Sequence, residues 1–94
     1  MRGVELDHDE AGHRYRLLRD GAVVSYADYR VDRSTRVFHH TLTEPAHRGQ
    51  GYAAEVVRRA LDDVRASGHS VVATCWYVAA FIDAHPEYKD LLAQ

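Results

Sequence analysis

The hydrophobic period of the sequence changes at Gly51, and this change constrains the fold more than any other feature. From Gly51 to Ala66, apolar residues recur at the spacing of one helix face, at Ala53, Val56, Val57, Ala60, Leu61 and Val64. Gly68 is placed to end this helix as its C′ residue. The apolar run from Val71 to Cys75 is predicted to be a strand buried on both faces. A strand, a helix and a strand in this order predict a right-handed crossover between parallel strands.

The segment before the helix predicts a three-stranded antiparallel meander. Residues 15–17 and 23–27 have the alternating or β-branched character of strands. Asp20-Gly21 between them suits a tight hairpin turn, because glycine tolerates a positive φ. A second turn at residues 32–35 leads into a strand from Arg36 to Thr43. The expected fold is therefore a mixed α/β sheet, with one parallel strand added to the meander through the crossover helix.

Short helical segments are predicted after the last strand. Tyr77, Val78, Phe81 and Ile82 form an apolar stripe that must end near His85, because Pro86 disfavours helical geometry at the residue before it. Pro86 can open a last helical turn over residues 87–92. We expect Tyr88 to fill the core, whereas Trp76 lines a cleft or fills the core.

The charged face of the long helix is interpreted as exposed to solvent. It carries Glu55, Arg58, Arg59, Asp62, Asp63 and Arg65. Glu55 precedes Arg59 by four residues, which is the favourable orientation for an ion pair on a helix. We therefore expect this face to stabilise the helix without burying charge.

Composition limits the classes of function. The chain has 94 residues, fewer than the ~100–150 of a typical domain, so we expect a single domain over residues 1–94. Its 12 Lys and Arg against 14 Asp and Glu give a formal charge of -2, too little positive charge to hold a nucleic acid by counterion release.

Cys75 is the single cysteine, so a reducing, cytoplasmic location is expected. The sequence has no signal-peptide pattern and no apolar stretch near the ~20 residues of a membrane span, so no membrane partner is expected. The seven histidines show no metal-ligand spacing, and no metal is expected.

The loop from Pro45 to Ala53 is the best candidate for a binding site. It joins the end of a strand to the start of a helix, where unpaired amides and the helix dipole favour an anion such as a phosphate. A plain glycine turn is an equally good interpretation of the loop from its position alone. The segment Gly49 to Ala54 also fits a dinucleotide-binding fingerprint, but that fold requires a parallel sheet from the start and an acidic residue about 20 positions later. Thr74 and Cys75 stand there instead, so this alternative is discarded.

The same residues resemble the GCN5-related N-acetyltransferases, in particular the small single-domain branch of that superfamily. Arg48, Gly51 and Ala53 match the pyrophosphate motif of the family. The remaining matches are His40-Thr41, Cys75-Trp76-Tyr77 and His85-Pro86-Glu87-Tyr88, and the resemblance spans roughly residues 13–92.

This resemblance implies that acetyl-CoA or CoA is bound and that an amine, a small molecule or a peptide, accepts the acetyl group. The amides implied to hold the pyrophosphate follow Arg48, at Gly49, Gln50, Gly51, Tyr52 and Ala53. The strand end at Thr41, Leu42 and Thr43 is implied to pair with the pantetheine arm. The thioester is expected in a gap between the strands that flank the helix, beside Cys75 and Tyr77.

The sequence also departs from the family pattern. Many members have two helices between their first strands that build an acceptor wall, whereas Asp20-Gly21 leaves no room for them. Some relatives carry a glutamate after the His-Thr pair, where this chain has Leu42. The expected function is therefore acetyl-CoA-dependent transfer to an unidentified amine. A CoA-binding module with little turnover and a pure interaction domain remain alternatives.

Three side chains are candidates for catalysis. His40 has a near-neutral pKa in its ordinary state and is a candidate general base, although a strand histidine used for packing is an alternative. Tyr77 is a candidate acid for the leaving thiolate, or a packing residue at a helix start. Cys75 has three possible roles: a nucleophile that takes the acetyl group, a polar neighbour of the thioester, or a small buried residue. The sequence leaves these alternatives open.

Overall fold

The computed structural model describes residues 1–93, which form one five-stranded sheet and helices. The strands are β1 (Val4–Asp9), β2 (Arg14–Arg19), β3 (Ala22–Asp32), β4 (Thr35–Thr43) and β5 (Ser70–Ala73). The helices are α1 (Tyr52–Ala66) and α2 (Trp76–Ala84), with 3-10 turns at Pro45–His47 and Pro86–Leu91. The first four strands are antiparallel neighbours, and β5 lies parallel to β4. The predicted mixed sheet and its crossover helix are confirmed.

The predicted turns are present where the sequence placed them. Asp20 and Gly21 join β2 to β3 with φ values of 50° and 80°, so this hairpin uses two left-handed residues. The β3–β4 turn also contains a positive φ, 57° at Arg33. Gly68 follows α1 with a φ of 73°, as expected of a C′ residue.

The meander has four strands, and the prediction of three was wrong. The additional strand is β1, which pairs with β2 from Val4 to Asp9. Val4 is buried and Leu6 packs against the core, but the third inward position is His8, whose ring stacks on Tyr15 with centroids 4.0 Å apart. With histidine at one inward position, the segment lacks the run of apolar residues that identifies a strand.

The last strand is shorter and more exposed than predicted. β5 ends at Ala73, and Val72 is 37% exposed, so the strand is not buried on both faces. It is an edge strand, and its outer side is bridged only at Val71 by Leu92 within residues 1–93. Cys75 is therefore not part of the strand; it is the residue that precedes α2.

One face of the sheet carries the core. Tyr15, Leu17 and Ala27 point into a single buried cluster with α1, α2 and the C-terminal 3-10 turn. Tyr88 belongs to this cluster, as predicted, and its hydroxyl donates to Asp62 of α1 over 2.7 Å. The side chains that alternate with these core residues form the helix-free face, and they include Arg14, Arg16, Asp28 and Arg30.

The interpretation of the charged face of α1 as wholly solvent-exposed is wrong for Glu55. This residue is only 8% exposed and accepts hydrogen bonds from Arg58 and Arg59. Arg59 in turn donates to the carbonyl oxygens of Val4 and Met1, 3.3 and 3.1 Å away. The N-terminal segment covers the first turns of α1 and so buries the carboxylate, while the predicted Glu55 to Arg59 pair is confirmed.

Candidate active site

A gap opens between β4 and β5 because the ladder between them stops early. The last paired residues are Phe38 and Ala73. The amides of Thr74 and Cys75 both donate to the carbonyl of Phe38 over 3.0 Å, and the chain then turns into α2 while β4 runs on to Thr43. The gap holds a cavity of about 400 Å³, lined by His39, His40, Thr41, Thr43, Ala53, Thr74, Cys75, Trp76 and Tyr77.

A β-bulge at His39 shapes the β4 side of the gap. Asp28 on β3 pairs with His40 and Tyr29 pairs with Phe38, which leaves His39 without an opposite residue. A bulge bends its strand and re-aims side chains, so both histidines are exposed at the gap. His40 lies on the helix-free side, opposite Asp28, with its ring 5.9 Å from that of Tyr26.

The Cys75 thiol sits at the start of α2 and faces β4. Its Sγ lies 3.5 Å from Oγ1 of Thr41. Partial burial alone would raise the pKa of Cys75, but hydrogen bonds from the Thr41 hydroxyl and from the backbone amides of Tyr77, Val78 and Thr41 outweigh it. The pKa of the thiol is therefore lowered, because these donors favour the thiolate.

Tyr77 adds a proton donor to the same gap. Its side chain lies in the first turn of α2 and is partly buried, and this burial raises the pKa of the phenol above its usual value. The hydroxyl consequently keeps its proton at neutral pH. Trp76, next to it, is 81% exposed, with its ring edge-on to Tyr77 at 5.7 Å. Of the two predicted roles for Trp76, lining the cleft is confirmed and core filling is wrong.

The glycine loop leads into α1, whose second residue, Ala53, lines the gap. Gly49 and Gly51 have φ values of 81° and 82°, a conformation that side chains rarely adopt, and Gly51 is the N-cap of α1. A Cβ at Gly49 would meet nothing within 4 Å, so the loop backbone is open to a ligand. The Arg48 side chain turns back and its Nε donates to the carbonyl of Thr43 over 3.5 Å.

The structure brings six of the twelve predicted site residues to one cavity. The candidates that line it are His40, Thr41, Thr43, Ala53, Cys75 and Tyr77. Arg48, Gly49, Gln50 and Gly51 lie in the adjoining loop, and Tyr52 begins α1 with its side chain buried. Leu42 pairs with Tyr26 and does not line the cavity.

Sequence reasoning missed His39 and Thr74. His39 enters the site only through the bulge, and the sequence has no glycine or proline there that would indicate a bulge. Thr74 enters because β5 stops at Ala73. Both residues depend on where strand pairing ends, and that is not a local property of the sequence.

The described residues contain neither a metal cluster nor a membrane helix. No group of three or more His, Cys, Asp or Glu side chains within residues 1–93 is arranged to hold a metal ion. No helix in the same range is long and apolar enough to span a bilayer.

The gap combines groups suited to acyl transfer. A helix N-terminus with open glycine amides can hold a pyrophosphate, and the unpaired edge of β4 can hold an extended arm. At the far end, Cys75, Tyr77 and two histidines surround the place where such an arm would end.

Comparisons with known proteins agree with this geometry. Residues 14–91 match the family model described as GCN5-related N-acetyl-transferase. The fold is similar to the NMR structure of a protein from Staphylococcus aureus assigned as a GCN5-like N-acetyltransferase, with a TM-score of 0.67 and 18% identity over 99% of this chain and 91% of that one.

A second similar structure is the ribosomal-protein alanine N-acetyltransferase of Escherichia coli. Its TM-score is 0.63 at 11% identity, over 89% of this chain and 52% of that one. No curated protein matches the sequence significantly. With five-sixths of the sequence covered by the family model and the fold shared with two acetyltransferase structures, the chain belongs to the GCN5-related N-acetyltransferase family.

Proposed function

We propose that the protein is an acetyl-CoA-dependent N-acetyltransferase acting on an amine acceptor, with residues 1–94 as a single catalytic domain. The observation that carries this proposal is the gap between β4 and β5, whose lining includes both Ala53, two residues after Gly51 in the first turn of α1, and Cys75 at the start of α2. Family membership supports acyl transfer, and the gap lies where a thioester cofactor held by the glycine loop could extend.

The cofactor would bind through backbone groups. We propose that the amides of Gly49, Gln50, Gly51, Tyr52 and Ala53 hold the pyrophosphate. The edge of β4 that β5 leaves unpaired, over Thr41, Leu42 and Thr43, would hydrogen bond to the pantetheine amides as a neighbouring strand does. Leu42 would contribute only its backbone, because its side chain does not line the cavity.

The acyl transfer would occur at the Cys75 end of the gap. A neutral amine nitrogen attacks the thioester carbonyl carbon, a C–N bond forms, and the C–S bond breaks to release CoA as a thiolate. His40 is proposed to accept the proton of the acceptor ammonium, directly or through water, because it lines the gap and faces solvent. Tyr77 is proposed to protonate the departing thiolate, because its side chain lines the gap beside Cys75 and its phenol carries a proton at neutral pH.

Cys75 is proposed to be a polar neighbour of the thioester in a direct transfer. Its contact with Thr41 fixes the sulfur beside the expected thioester position. The lowered pKa of the thiol also suits a nucleophile that carries the acetyl group, so the acyl-cysteine route is the competing mechanism.

A second candidate function is a CoA-binding module with little turnover. The observation that favours it is the length of the first two connections: residues 10–13 join β1 to β2, and Asp20 and Gly21 join β2 to β3, so neither has room for the helices of an acceptor wall. Cofactor binding is common to both functions, and only turnover separates them.

The experiment begins with thermal unfolding in the presence of CoA, acetyl-CoA or NAD. Binding at 100 times Kd adds about 2.7 kcal/mol of stability, so CoA and acetyl-CoA should raise Tm and NAD should not. Equal shifts for all three, or none, would contradict the proposed cofactor. Release of the CoA thiol that depends on added amine would then support the transferase, whereas binding without release would support the module.

A further inference from the structure

A second cavity lies on the helix-free face of the sheet, next to the gap. It is a groove of about 540 Å³ whose walls come from the β1–β2 turn, from β2 and β3, and from the bulge of β4. His39 lines both the groove and the gap. The groove and the gap therefore meet at the bulged residue.

Most of the charge in this groove is already paired. Arg14 donates to both carboxylate oxygens of Asp28, over 2.6 and 3.1 Å, and lies 3.7 Å from the ring centroid of Tyr26. Arg16 forms an ion pair with Asp7 on β1. These two guanidinium groups are held in place and neutralised by carboxylates on neighbouring strands.

Arg30 differs from the other two arginines of the groove. It is the next outward-facing residue of β3 after Asp28, and it is exposed. Within residues 1–93 it has no carboxylate partner within 4.0 Å. The groove therefore contains a guanidinium that forms no ion pair with the described residues.

The remaining carboxylate of the groove does not pair with Arg30. Asp9 is the last residue of β1, and its Oδ1 accepts a hydrogen bond from the amide of Gly12 over 3.0 Å. Of the three arginines in the groove, Arg14 and Arg16 are thus paired with carboxylates of the sheet, and Arg30 alone has no carboxylate within 4.0 Å among residues 1–93.

From this arrangement, and resting on the proposed transferase function, we infer that the acceptor is a small amine that also carries a carboxylate or phosphate group. Its anionic group binds Arg30, and its nitrogen lies at His39, on the side of β4 that the cofactor leaves free. A guanidinium binds either oxyanion with two parallel hydrogen bonds, which sets the orientation of the amine. The nitrogen then attacks the thioester carbon, so that a C–N bond replaces the C–S bond and the ammonium proton leaves through base or water.

The unpaired Arg30 also disfavours one class of acceptor. A polyamine would place an ammonium group next to this guanidinium, and like charges brought close together repel. The β1–β2 turn at Asp9 to His13 walls one side of the groove, which favours a small molecule over a protein segment.

Two matched pairs of acceptors test this inference: phosphoethanolamine with ethanolamine, and glycine with glycinamide. Spermidine is the polyamine. CoA release is measured for the wild type, for Arg30→Gln and for Arg33→Gln, a control in the β3–β4 turn that does not line the groove. For each compound, KM of the variant is divided by KM of the wild type. The pKa of the compound's amine affects both values equally, so this ratio can be compared within a pair.

We expect Arg30→Gln to raise KM for the anionic member of at least one pair by about tenfold, the effect of one charge-assisted contact. KM for the neutral members and the Kd for CoA should not change, and Arg33→Gln should behave as the wild type. A loss confined to phosphoethanolamine identifies phosphate as the recognised group, and a loss confined to glycine identifies carboxylate. Equal effects on charged and neutral members, or a preference for spermidine, would overturn the inference but not the transferase function.

A binding measurement keeps the inference testable without turnover. Phosphoethanolamine and glycine are titrated separately into the CoA-loaded protein while backbone amide shifts are followed by NMR. At least one of them should move the amides of Arg30 and His39, and Arg30→Gln should abolish these changes. If none of the amines supports CoA release but these shifts occur, the transferase function is contradicted and the anion site is supported. The absence of these shifts for both compounds would overturn the anion site.

Discussion

The sulfur of Cys75 lies 3.5 Å from the hydroxyl oxygen of Thr41, so that the residue that precedes α2 and a residue of β4 meet across the gap. This contact holds the thiol at the point where the two chain segments separate. The role of Cys75 in the proposed acyl transfer can therefore be tested by substitution.

Replacement of Cys75 distinguishes its three roles. If Cys75 is a polar neighbour of the thioester, as proposed, Cys75→Ser should keep most activity and Cys75→Ala should lose roughly tenfold in kcat, about 1.4 kcal/mol. If it carries the acetyl group, both variants should lose several powers of ten, and acetyl-CoA alone should add the mass of one acetyl group to the wild-type chain. Unchanged turnover per folded molecule in Cys75→Ala would leave only a packing role.

Alkylation by iodoacetamide measures the acidity of the same thiol. Because the folded protein lowers the pKa of Cys75, the pH midpoint of alkylation should lie below that of the chain unfolded in urea. Thr41→Val removes one hydrogen-bond donor and should move the midpoint upward. A folded midpoint at or above the unfolded one would show that burial outweighs the hydrogen bonds.

Gly51→Glu should abolish the stabilisation by CoA, because a side chain and a negative charge would occupy the pyrophosphate position. Gly68→Glu is the matched control: it lies at the opposite end of α1, has a similar positive φ of 73°, and has nothing within 4 Å of its Cβ. Both variants should lose about 1 kcal/mol to backbone strain, but only Gly51→Glu should lose the Tm shift. Normal CoA affinity in folded Gly51→Glu would place the cofactor elsewhere.

Arg48→Ala should weaken CoA binding only modestly. The Arg48 side chain is exposed and directed back to Thr43, so we expect its backbone, more than its guanidinium, to face the phosphates. The expected loss is about 1 kcal/mol by calorimetry, as for an ordinary exposed contact. A loss of several kcal/mol would mean that the side chain grips the pyrophosphate directly.

The local signals of the sequence were sufficient for most of the fold. The helix from Tyr52 to Ala66 and the Asp20-Gly21 turn follow from periodicity and turn chemistry within a few residues. β1 was missed because His8 occupies an inward position that a strand pattern reserves for an apolar residue. The exposed edge of β5 and the bulge at His39 depend on which strands pair and where the pairing stops. For the same reason, the sequence could place Cys75 beside the gap but could not indicate His39 or the groove behind it, and the binding role of the loop stays a prediction.

The buried Glu55 predicts an acid-dependent loss of stability. Burial alone raises the pKa of its carboxyl, but the hydrogen bond from Arg59 and the charge of Arg58 outweigh it and lower the pKa below 4.5. A lowered folded pKa contributes stability that is complete above the unfolded pKa and is lost as pH falls through the folded one. Urea unfolding should therefore show a decline below about pH 4.5 that Glu55→Gln reduces, at a cost of about 1–3 kcal/mol at pH 7. An unchanged pH profile in Glu55→Gln would assign the decline to other carboxylates.

The order of the strands has a consequence for how the molecule assembles. β1 to β4 pair with their neighbours along the chain, so those contacts close short loops. The contact of β4 with β5 joins residues 35 apart in sequence, as in the Thr35 to Ser70 hydrogen bond, and closing so long a loop costs more entropy. The gap exists only once this pairing has formed and stopped at Ala73. A nascent or partly unfolded chain can thus keep its hairpins while having no such cleft, and the proposed cofactor, by binding only the fully paired sheet, would stabilise the pairing of β4 with β5.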